Sequence, residues 1–288
     1  MVSWCRRNAG NGSWRICAVG RSKRMPARSM NMLATAASIG RETAIQRVAW
    51  SGDGWLRLAH GDMLPQLEVE APKGIEPHPW PEPAARDDFE GPKLDVHWQT
   101  LRVPADETWL SLSARPGWLR LTGRESPHSL HSQSLVARPL TDFKATAATK
   151  MEFMPTRFTQ FAGLTVWYDT RTHYFLQVCH DERQGRIIRV ALSDDGDYEE
   201  PADAVLIIDD WLETVYLRAN IDHAELTFEA SPDTERWTQL GGVFDMTRIS
   251  DDYGSILHFT GAMIGLCAYD VAGQGSHADF DWFEMYYE

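Results

Sequence analysis

Cys179, His180 and Asp181 are the adjacent residues best suited to chemistry, because they supply a nucleophile, a base and an orienting carboxylate. A nucleophile and its base must come within hydrogen-bonding reach of each other. The surrounding pattern predicts a β-strand, in which neighbouring side chains point to opposite faces. We therefore expect no catalytic triad at this position.

The cysteines and glycines give equally little support for a zinc centre or a nucleotide site. Cys5, Cys17, Cys179 and Cys267 are widely separated and form no CxxC pair, so reduced structural thiols are expected. No glycine-rich loop follows a strand and opens a helix, which is the arrangement that cradles phosphate groups.

The net charge of −13 is unevenly distributed over the 288 residues. Residues 1–47 contain nine basic residues and one acid, Glu42, giving +8, so the remainder carries −13 − 8 = −21. An acidic body argues against nucleic acid or an anionic membrane as partner. We interpret the basic stretch 1–37 as a poorly ordered extension or a mis-called start. Its apolar centre is short, which favours a cytoplasmic location over secretion.

The elements around these residues show the period of two that is typical of β-strands. In "TWLSLSARPGWLRLTG", Leu110 and Leu112 alternate with other residues, "RPG" turns the chain, and Leu119 and Leu121 alternate again. Further strands are predicted for "THYFLQVCH", "GRIIRVALS", "VYLRANID", "AELTFEAS" and "GAMIGLCAYD", and the only short helix for "DMTRISDDY". Many short strands without alternating helices predict an all-β fold, a two-sheet antiparallel sandwich.

Composition divides the chain into four segments. The basic extension 1–37 is followed by 38–62, where two strands flank the turn "SGDG". Residues 63–85 are rich in proline, which fixes φ and removes a backbone donor, so they are predicted to be an extended linker with Trp80 as an anchor. Residues 86–288 are predicted to form the sandwich.

A series of motifs resembles one enzyme family. The motifs "SIGRETAIQRVAW", "GWLRLAHGDMLPQLEVEAPKG", "RDDFEGPKLDVHWQTLR", "FAGLTVWYD", "GLCAYD" and "ADFDWFEM" occur in one order from about residue 38 to the end. They closely resemble the C-terminal part of family-43 glycoside hydrolases of the β-xylosidase and α-arabinofuranosidase type. The resemblance implies a concanavalin-A-like sandwich, preceded by the last strands of a five-bladed β-propeller.

The resemblance also implies two substrate-binding residues. The arginine of "GRETA", here Arg41, faces the sugar pocket of the propeller in such enzymes. A phenylalanine of the sandwich, matched here by Phe259 in "HFTGA", closes the mouth of that pocket. Both roles require the propeller to be present.

The catalytic carboxylates of the family do not match any residue of this chain. Inversion needs two carboxylates roughly 6.5 to 9.5 Å apart across the scissile bond, and in the family they lie in propeller blades that precede the matched region. Residues 1–37 contain no Asp or Glu. We therefore expect the chain to be inactive alone and to need a propeller, in cis or as a separate chain. Xylo-oligosaccharides or arabinosides are the implied substrates, and homo-oligomerisation is left open.

Calcium is the metal that the resemblance suggests, and no other cofactor is required. Sandwiches of this type often hold a calcium ion beside the first and last strands, where several hard oxygen ligands meet. Asp88 in "RDDFEG" and Asp281 in "HADFDWFE" are the candidate ligands. The alternative is that both are solvated loop carboxylates.

A carbohydrate-binding, lectin-like sandwich is the alternative function. Exposed aromatic rings on one sheet face stack on sugars, and Trp109, Trp118 and Trp167 are the candidates. Against this alternative, tryptophans in strands are more often buried between sheets.

Overall fold

The structure, a computed structural model, describes most of the chain. The described residues are 2–5, 13–18, 38–40, 45–66, 68–70, 82–256 and 259–288, with the backbone alone in the first two ranges. Predictions for Arg41 and Trp80 lie outside these residues.

Five short strands precede the sandwich. They are β1 (Val2–Cys5), β2 (Ser13–Ala18), β3 (Val48–Trp50), β4 (Leu56–Leu58) and β5 (Glu68–Glu70). Strands β1, β2 and β5 form one antiparallel sheet. Strand β5, which lies within the proline-rich segment, pairs with β2. The interpretation of residues 1–37 as an extension or a mis-called start stays a prediction. The bounds of the four segments stay a prediction.

Strands β3 and β4 form the antiparallel hairpin predicted around "SGDG", with Val48 opposite Leu58 and Trp50 opposite Leu56. The turn is held by the Asp53 carboxylate, which accepts hydrogen bonds from Ser51 and Arg57.

The remaining strands build two eight-stranded antiparallel sheets. They are β6 (Arg86–Asp87), β7 (Gln99–Thr100), β8 (Leu110–Ser111), β9 (Leu119–Thr122), β10 (Ser134–Pro139), β11 (Lys144–Glu152), β12 (Gln160–Trp167), β13 (His173–Asp181), β14 (Gly185–Asp194), β15 (Asp197–Glu199), β16 (Val205–Ile207), β17 (Thr214–Asp222), β18 (Glu225–Ser231), β19 (Thr238–Asp245), β20 (Met263–Asp270) and β21 (His277–Tyr287).

The first sheet has the strand order β19-β18-β17-β11-β21-β9-β8, and β6 pairs with β21. The second has the order β15-β14-β13-β12-β20-β10-β7, and β16 pairs with β14. A 3-10 helix, Met246–Arg248, follows β19, and Asp245 caps it by accepting from the Thr247 N–H. The predicted all-β sandwich, the β8–β9 hairpin and the short helix are confirmed.

The core lies between the two sheets. Strand β17 shows why, because every second residue from Val215 to Ile221 is buried and its intervening neighbours are partly exposed. Large side chains from both sheets meet in one cluster, among them Leu217, Phe228 and Phe280 from the first sheet and Leu164, Leu176 and Leu266 from the second. This alternation is the period of two seen in the sequence.

The second sheet departs from that pattern, because its outer face is also apolar and buried. Trp167, Phe175, Cys267 and Tyr269 form a second cluster there and are at most 3% exposed. Strand β13 is consequently buried on both faces along most of its length. Across the described residues, no helix is long and apolar enough to cross a membrane.

Candidate functional site

Phe259 lies between β19 of the first sheet and β20 of the second, in a loop that we call the Phe259 loop. Its described residues are 249–256 and 259–262. The Phe259 side chain is 44% exposed, and its backbone adopts a φ of +59°. A bulky residue rarely takes this left-handed conformation. Such strain costs on the order of 1–3 kcal/mol and tends to occur where the surroundings fix a residue for function. The loop therefore holds Phe259 in an unusual pose at the surface.

A contact between two glycines joins this loop to the segment before Arg41. A Cβ atom added to Gly261 would lie 2.6 Å from the Gly40 nitrogen, and one added to Gly40 would lie 2.8 Å from the Gly261 nitrogen. Beside this contact, the Ala262 N–H donates to the Ser38 carbonyl at 2.6 Å. Both glycines have positive φ, so only glycine fits this close approach without strain.

The glycine contact brings together the neighbourhoods of the two predicted site residues. Arg41 follows Gly40 in the sequence, and Phe259 precedes Gly261 by two residues. Arg41 itself lies outside the described residues. The structure thus places Gly40 and Gly261, which are near these two residues in the sequence, in direct backbone contact.

Asp251 stabilises the glycine contact by accepting hydrogen bonds. Its carboxylate is 5% exposed and accepts hydrogen bonds from the Tyr168 hydroxyl at 3.0 Å and from the Gly261 N–H at 3.2 Å. Tyr168 follows β12, so this carboxylate links the Phe259 loop to the second sheet. A buried charge is stable only when such donors surround it.

Asp194, at the end of β14, binds residues at the start of the same loop. It accepts hydrogen bonds from Arg248 and from the Tyr253 hydroxyl, both at 2.6 Å. The bond to Asp194 raises the pKa of Tyr253, because the phenol is needed as a donor.

Asp195 makes a third attachment. Its carboxylate accepts from Ser255 at 2.8 Å and from Arg171 at 3.1 Å. The bond from Ser255, with help from Arg171, lowers the pKa of Asp195, so the carboxylate stays ionised at neutral pH. Three aspartates therefore hold the loop through charge-assisted hydrogen bonds.

The sequence patterns did not identify these three aspartates as part of the site. Asp251 lies in "SDDYGS" and Asp194 and Asp195 in "SDDGD", where acidic residues beside glycine indicate turns. Their donors come from distant parts of the chain, so no local pattern reveals the contacts. The hydrogen bonds of the three aspartates can hold the aromatic ring of Phe259 in a fixed position.

Each candidate calcium ligand forms an ion pair with a basic side chain of the protein. Asp88 pairs with Arg86 at 2.7 Å, and Asp281 pairs with Lys150 at 2.5 Å. Among the described residues, no group of three or more His, Cys, Asp or Glu side chains is placed to hold a metal ion. Calcium binding stays a prediction, which thermal unfolding with added calcium tests in the parent chain and in Asp281→Ala.

The residues considered for nucleophilic chemistry are structural. Cys179 is fully buried, and burial raises the pKa of its thiol to about 12. Asp181 instead accepts the backbone N–H groups of Arg183 and Gln184 in the turn after β13. Burial also raises the pKa of Cys267, so neither thiol is activated.

The three tryptophans considered for a lectin do not form a sugar-binding platform. Trp109 and Trp167 are 0% and 3% exposed, which leaves no ring face for a ligand. Trp118 is partly exposed, but the Arg115 guanidinium covers its ring at 3.6 Å from the centroid. Trp167 lies in β12, whereas Trp109 and Trp118 come directly before β8 and β9. The sequence did not reveal what covers these rings.

The chain matches a known domain family over most of the sandwich. Residues 86–286 match the family described as the β-xylosidase C-terminal concanavalin A-like domain. The match agrees with the two-sheet fold and with the resemblance seen in the motifs.

Longer enzymes are similar to this chain over most of its length. A xylan 1,3-β-xylosidase of a Vibrio species is 40% identical over 247 residues, which cover 85% of this chain and 45% of the relative. A β-xylosidase of Bacillus subtilis is 36% identical, covering 85% and 46%. The crystal structure of a xylan β-1,4-xylosidase from Bacillus halodurans superposes with a TM-score of 0.84 at 36% identity, covering 100% of this chain and 53% of that one. The chain thus spans about half the length of these relatives.

Proposed function

Because this chain belongs to the β-xylosidase C-terminal concanavalin A-like domain family of glycoside hydrolase family 43, we propose that it completes and shields the sugar pocket of such an enzyme. In this proposal the Phe259 loop closes the mouth of the pocket. Closure limits the enzyme to the ends of sugar chains and excludes bulk water from the reaction. Xylo-oligosaccharides or arabinosides are the proposed substrates.

One observation carries the proposal, namely the contact between Gly40 and Gly261. It fixes the Phe259 loop against the segment that leads into Arg41. In this loop Phe259 has a positive φ and remains 44% exposed, so its ring is available at the surface.

The β3–β4 hairpin gives independent support. Within residues 45–64, seven large apolar side chains are exposed, including Trp50 at 73% and Trp55 at 71%. Exposed apolar surface of this density marks an interface. We propose that the partner is a propeller like the one in the longer relatives, either in the same chain or in a second one.

The propeller would also supply the catalytic carboxylates. Inversion requires an acid and a base roughly 6.5 to 9.5 Å apart with a water between them. The carboxylates described beside the Phe259 loop instead accept hydrogen bonds that hold the loop. We therefore propose that this chain alone does not hydrolyse glycosides, and that it contributes Arg41 and Phe259 to binding.

A chimera tests the proposal directly. Residues 38–288 would replace the matching part of the Bacillus subtilis β-xylosidase, and hydrolysis of nitrophenyl xyloside would be measured. Phe259→Ala is expected to lower kcat/KM by about tenfold or more, since each factor of ten is about 1.4 kcal/mol of lost transition-state binding. Phe158→Ala, at another exposed phenylalanine, is the matched control and should leave kcat/KM unchanged.

Equal activity of the chimera with and without Phe259 would contradict the pocket-closing role. The purified chain by itself gives a second test. Hydrolysis of nitrophenyl xyloside at a rate that Arg41→Ala abolishes would show that the chain holds its own catalytic site, which the proposal excludes.

A further inference from the structure

A polar groove crosses the outer face of the first sheet. It has a volume of about 250 Å³ and is lined by strands β11, β17 and β18 and by the C-terminal residue, Glu288. Its floor is a cross-strand row in which Thr146 is opposite Asn220, and Asn220 is opposite Thr227. Directly paired residues of antiparallel strands point to the same face, so these three side chains share one surface.

The floor of the groove carries hydroxyl and amide groups. The Thr146 hydroxyl donates to the Asn220 side-chain oxygen at 3.2 Å, and the Asn220 amide donates to Glu229 at 2.7 Å. These groups both donate and accept, as the hydroxyls of a sugar do. Tyr286 is the partner of Thr146 on β21 and is 48% exposed. Because the two residues are directly paired, the Tyr286 ring lies on the same face of the sheet as Thr146.

The charges around the groove select against anionic ligands. Lys144 pairs with Asp222 at 2.9 Å, which leaves Glu225 and Glu288 among the lining residues to set the local sign. Arg218 pairs with Glu229. Anions are disfavoured by this excess of carboxylates, and the groove has no cluster of acids placed to hold a metal ion among the described residues. The hydroxyl and amide groups of the floor match a neutral ligand rich in hydroxyl groups.

The position of the groove relates it to the Phe259 loop. The turn between β17 and β18 contacts the 3-10 helix that precedes the Phe259 loop. In this contact the Met246 N–H donates to the Ala224 carbonyl at 2.9 Å. On the other side, the Leu140 N–H donates to the Ala262 carbonyl at 2.9 Å. The groove therefore opens at the end of the sandwich that carries the Phe259 loop.

We propose that this groove is a second binding site, for a short stretch of a neutral oligosaccharide. Its volume is below the range of roughly 300–1,000 Å³ that encloses a whole ligand, so it fits one or two sugar units of a chain that continues into solvent. Tyr286 would stack on a sugar ring, and Thr146, Asn220 and Thr227 would bind its hydroxyls. The choice of xylo-oligosaccharide as probe rests on the proposed function, whereas the site itself does not.

Titration of the full chain with xylohexaose tests the proposal, by calorimetry and by amide chemical shifts. We expect saturable binding at micromolar to millimolar ligand, with shifts concentrated at Thr146, Asn220 and Thr227. Tyr286→Ala is expected to weaken binding about tenfold, equivalent to about 1.4 kcal/mol. Thr146→Val, which removes only the hydroxyl, should also weaken it. Unchanged melting temperatures would show that both variants fold.

Trp211→Ala is the matched control, because Trp211 is 77% exposed and lies in the loop between β16 and β17. It should leave the affinity unchanged. The proposal is overturned if no shifts occur at millimolar xylohexaose, or if Trp211→Ala rather than Tyr286→Ala abolishes binding. Either result leaves the pocket-closing role intact, since that role is measured separately by activity of the chimera with and without Phe259.

Discussion

At the scale of single residues, the glycine at position 261 is the most sensitive point of the Phe259 loop. We expect Gly261→Ala to lower the free energy of unfolding by about 1–3 kcal/mol more than Gly254→Ala. Both glycines have positive φ, but an added Cβ at Gly254 meets no atom closer than 3.7 Å, whereas at Gly261 it meets the Gly40 backbone. Chemical denaturation measures the difference.

The matched glycine pair separates crowding from strain. Strain from positive φ is common to both substitutions and amounts to about 1–2 kcal/mol. Equal losses of stability in the two variants would mean that residues 38–40 do not press on the loop, contrary to the structure.

Asp251 is the second residue at this scale. Replacing it with Ala leaves the Gly261 N–H and the Tyr168 hydroxyl without this acceptor, and an unsatisfied buried donor costs about 1–3 kcal/mol. Tyr168→Phe removes one hydrogen bond from Asp251 and should cost less. Amide hydrogen exchange should rise at Gly261 in Asp251→Ala. Normal protection there would contradict the role of Asp251.

At the scale of elements, the hairpin between β12 and β13 contains a buried histidine that makes stability depend on pH. His173 is 2% exposed and stacks on Trp167 with ring centroids 4.6 Å apart. Burial, with a smaller contribution from nearby His128, lowers the pKa of His173 to about 3 from an ordinary value of 6.5. The folded protein therefore holds this side chain neutral.

The sign of the effect follows from proton binding. Between pH 6.5 and about 3 the unfolded chain binds a proton at His173 that the folded chain does not, so stability falls as pH decreases through this window. The slope from this group approaches about 1.4 kcal/mol per pH unit. We expect His173→Gln, which cannot be protonated, to have a shallower dependence in denaturation measured across the window. An identical slope in parent and variant would contradict this expectation.

At the scale of the whole molecule, the β3–β4 hairpin carries exposed apolar side chains that favour self-association. Trp50 and Trp55 present large apolar areas, and exposed patches of this kind promote association. We expect the double change Trp50→Gln and Trp55→Gln to reduce concentration-dependent self-association in sedimentation velocity. The melting temperature should hardly change, because exposed substitutions usually alter stability by about 0.5 kcal/mol or less.

Trp211→Gln is the control for this experiment, since Trp211 is equally exposed but lies outside the hairpin. If it reduces self-association as much as the double change does, general loss of exposed tryptophan is responsible. In that case the hairpin would not be the specific interface that we propose for the propeller.

The sequence by itself determined the fold class and the strands, because both depend on local patterns. Alternation in "VYLRANID" and "GWLRLTG" follows from one face of a strand meeting the core, and turn residues mark where each strand ends. The motifs also singled out Phe259 as a candidate for the site. These features need only neighbours along the chain.

Only the tertiary structure decided how the site is held and which surfaces are covered. The Gly40–Gly261 contact and the hydrogen bond from Tyr168 to the buried Asp251 join residues that are distant in sequence. The burial of Trp109 and Trp167 likewise depends on the packed fold. The groove floor likewise depends on the register that aligns Thr146, Asn220 and Thr227. Such contacts form because sheets pair and pack across long separations, and a local pattern carries no information about which partner a face will meet.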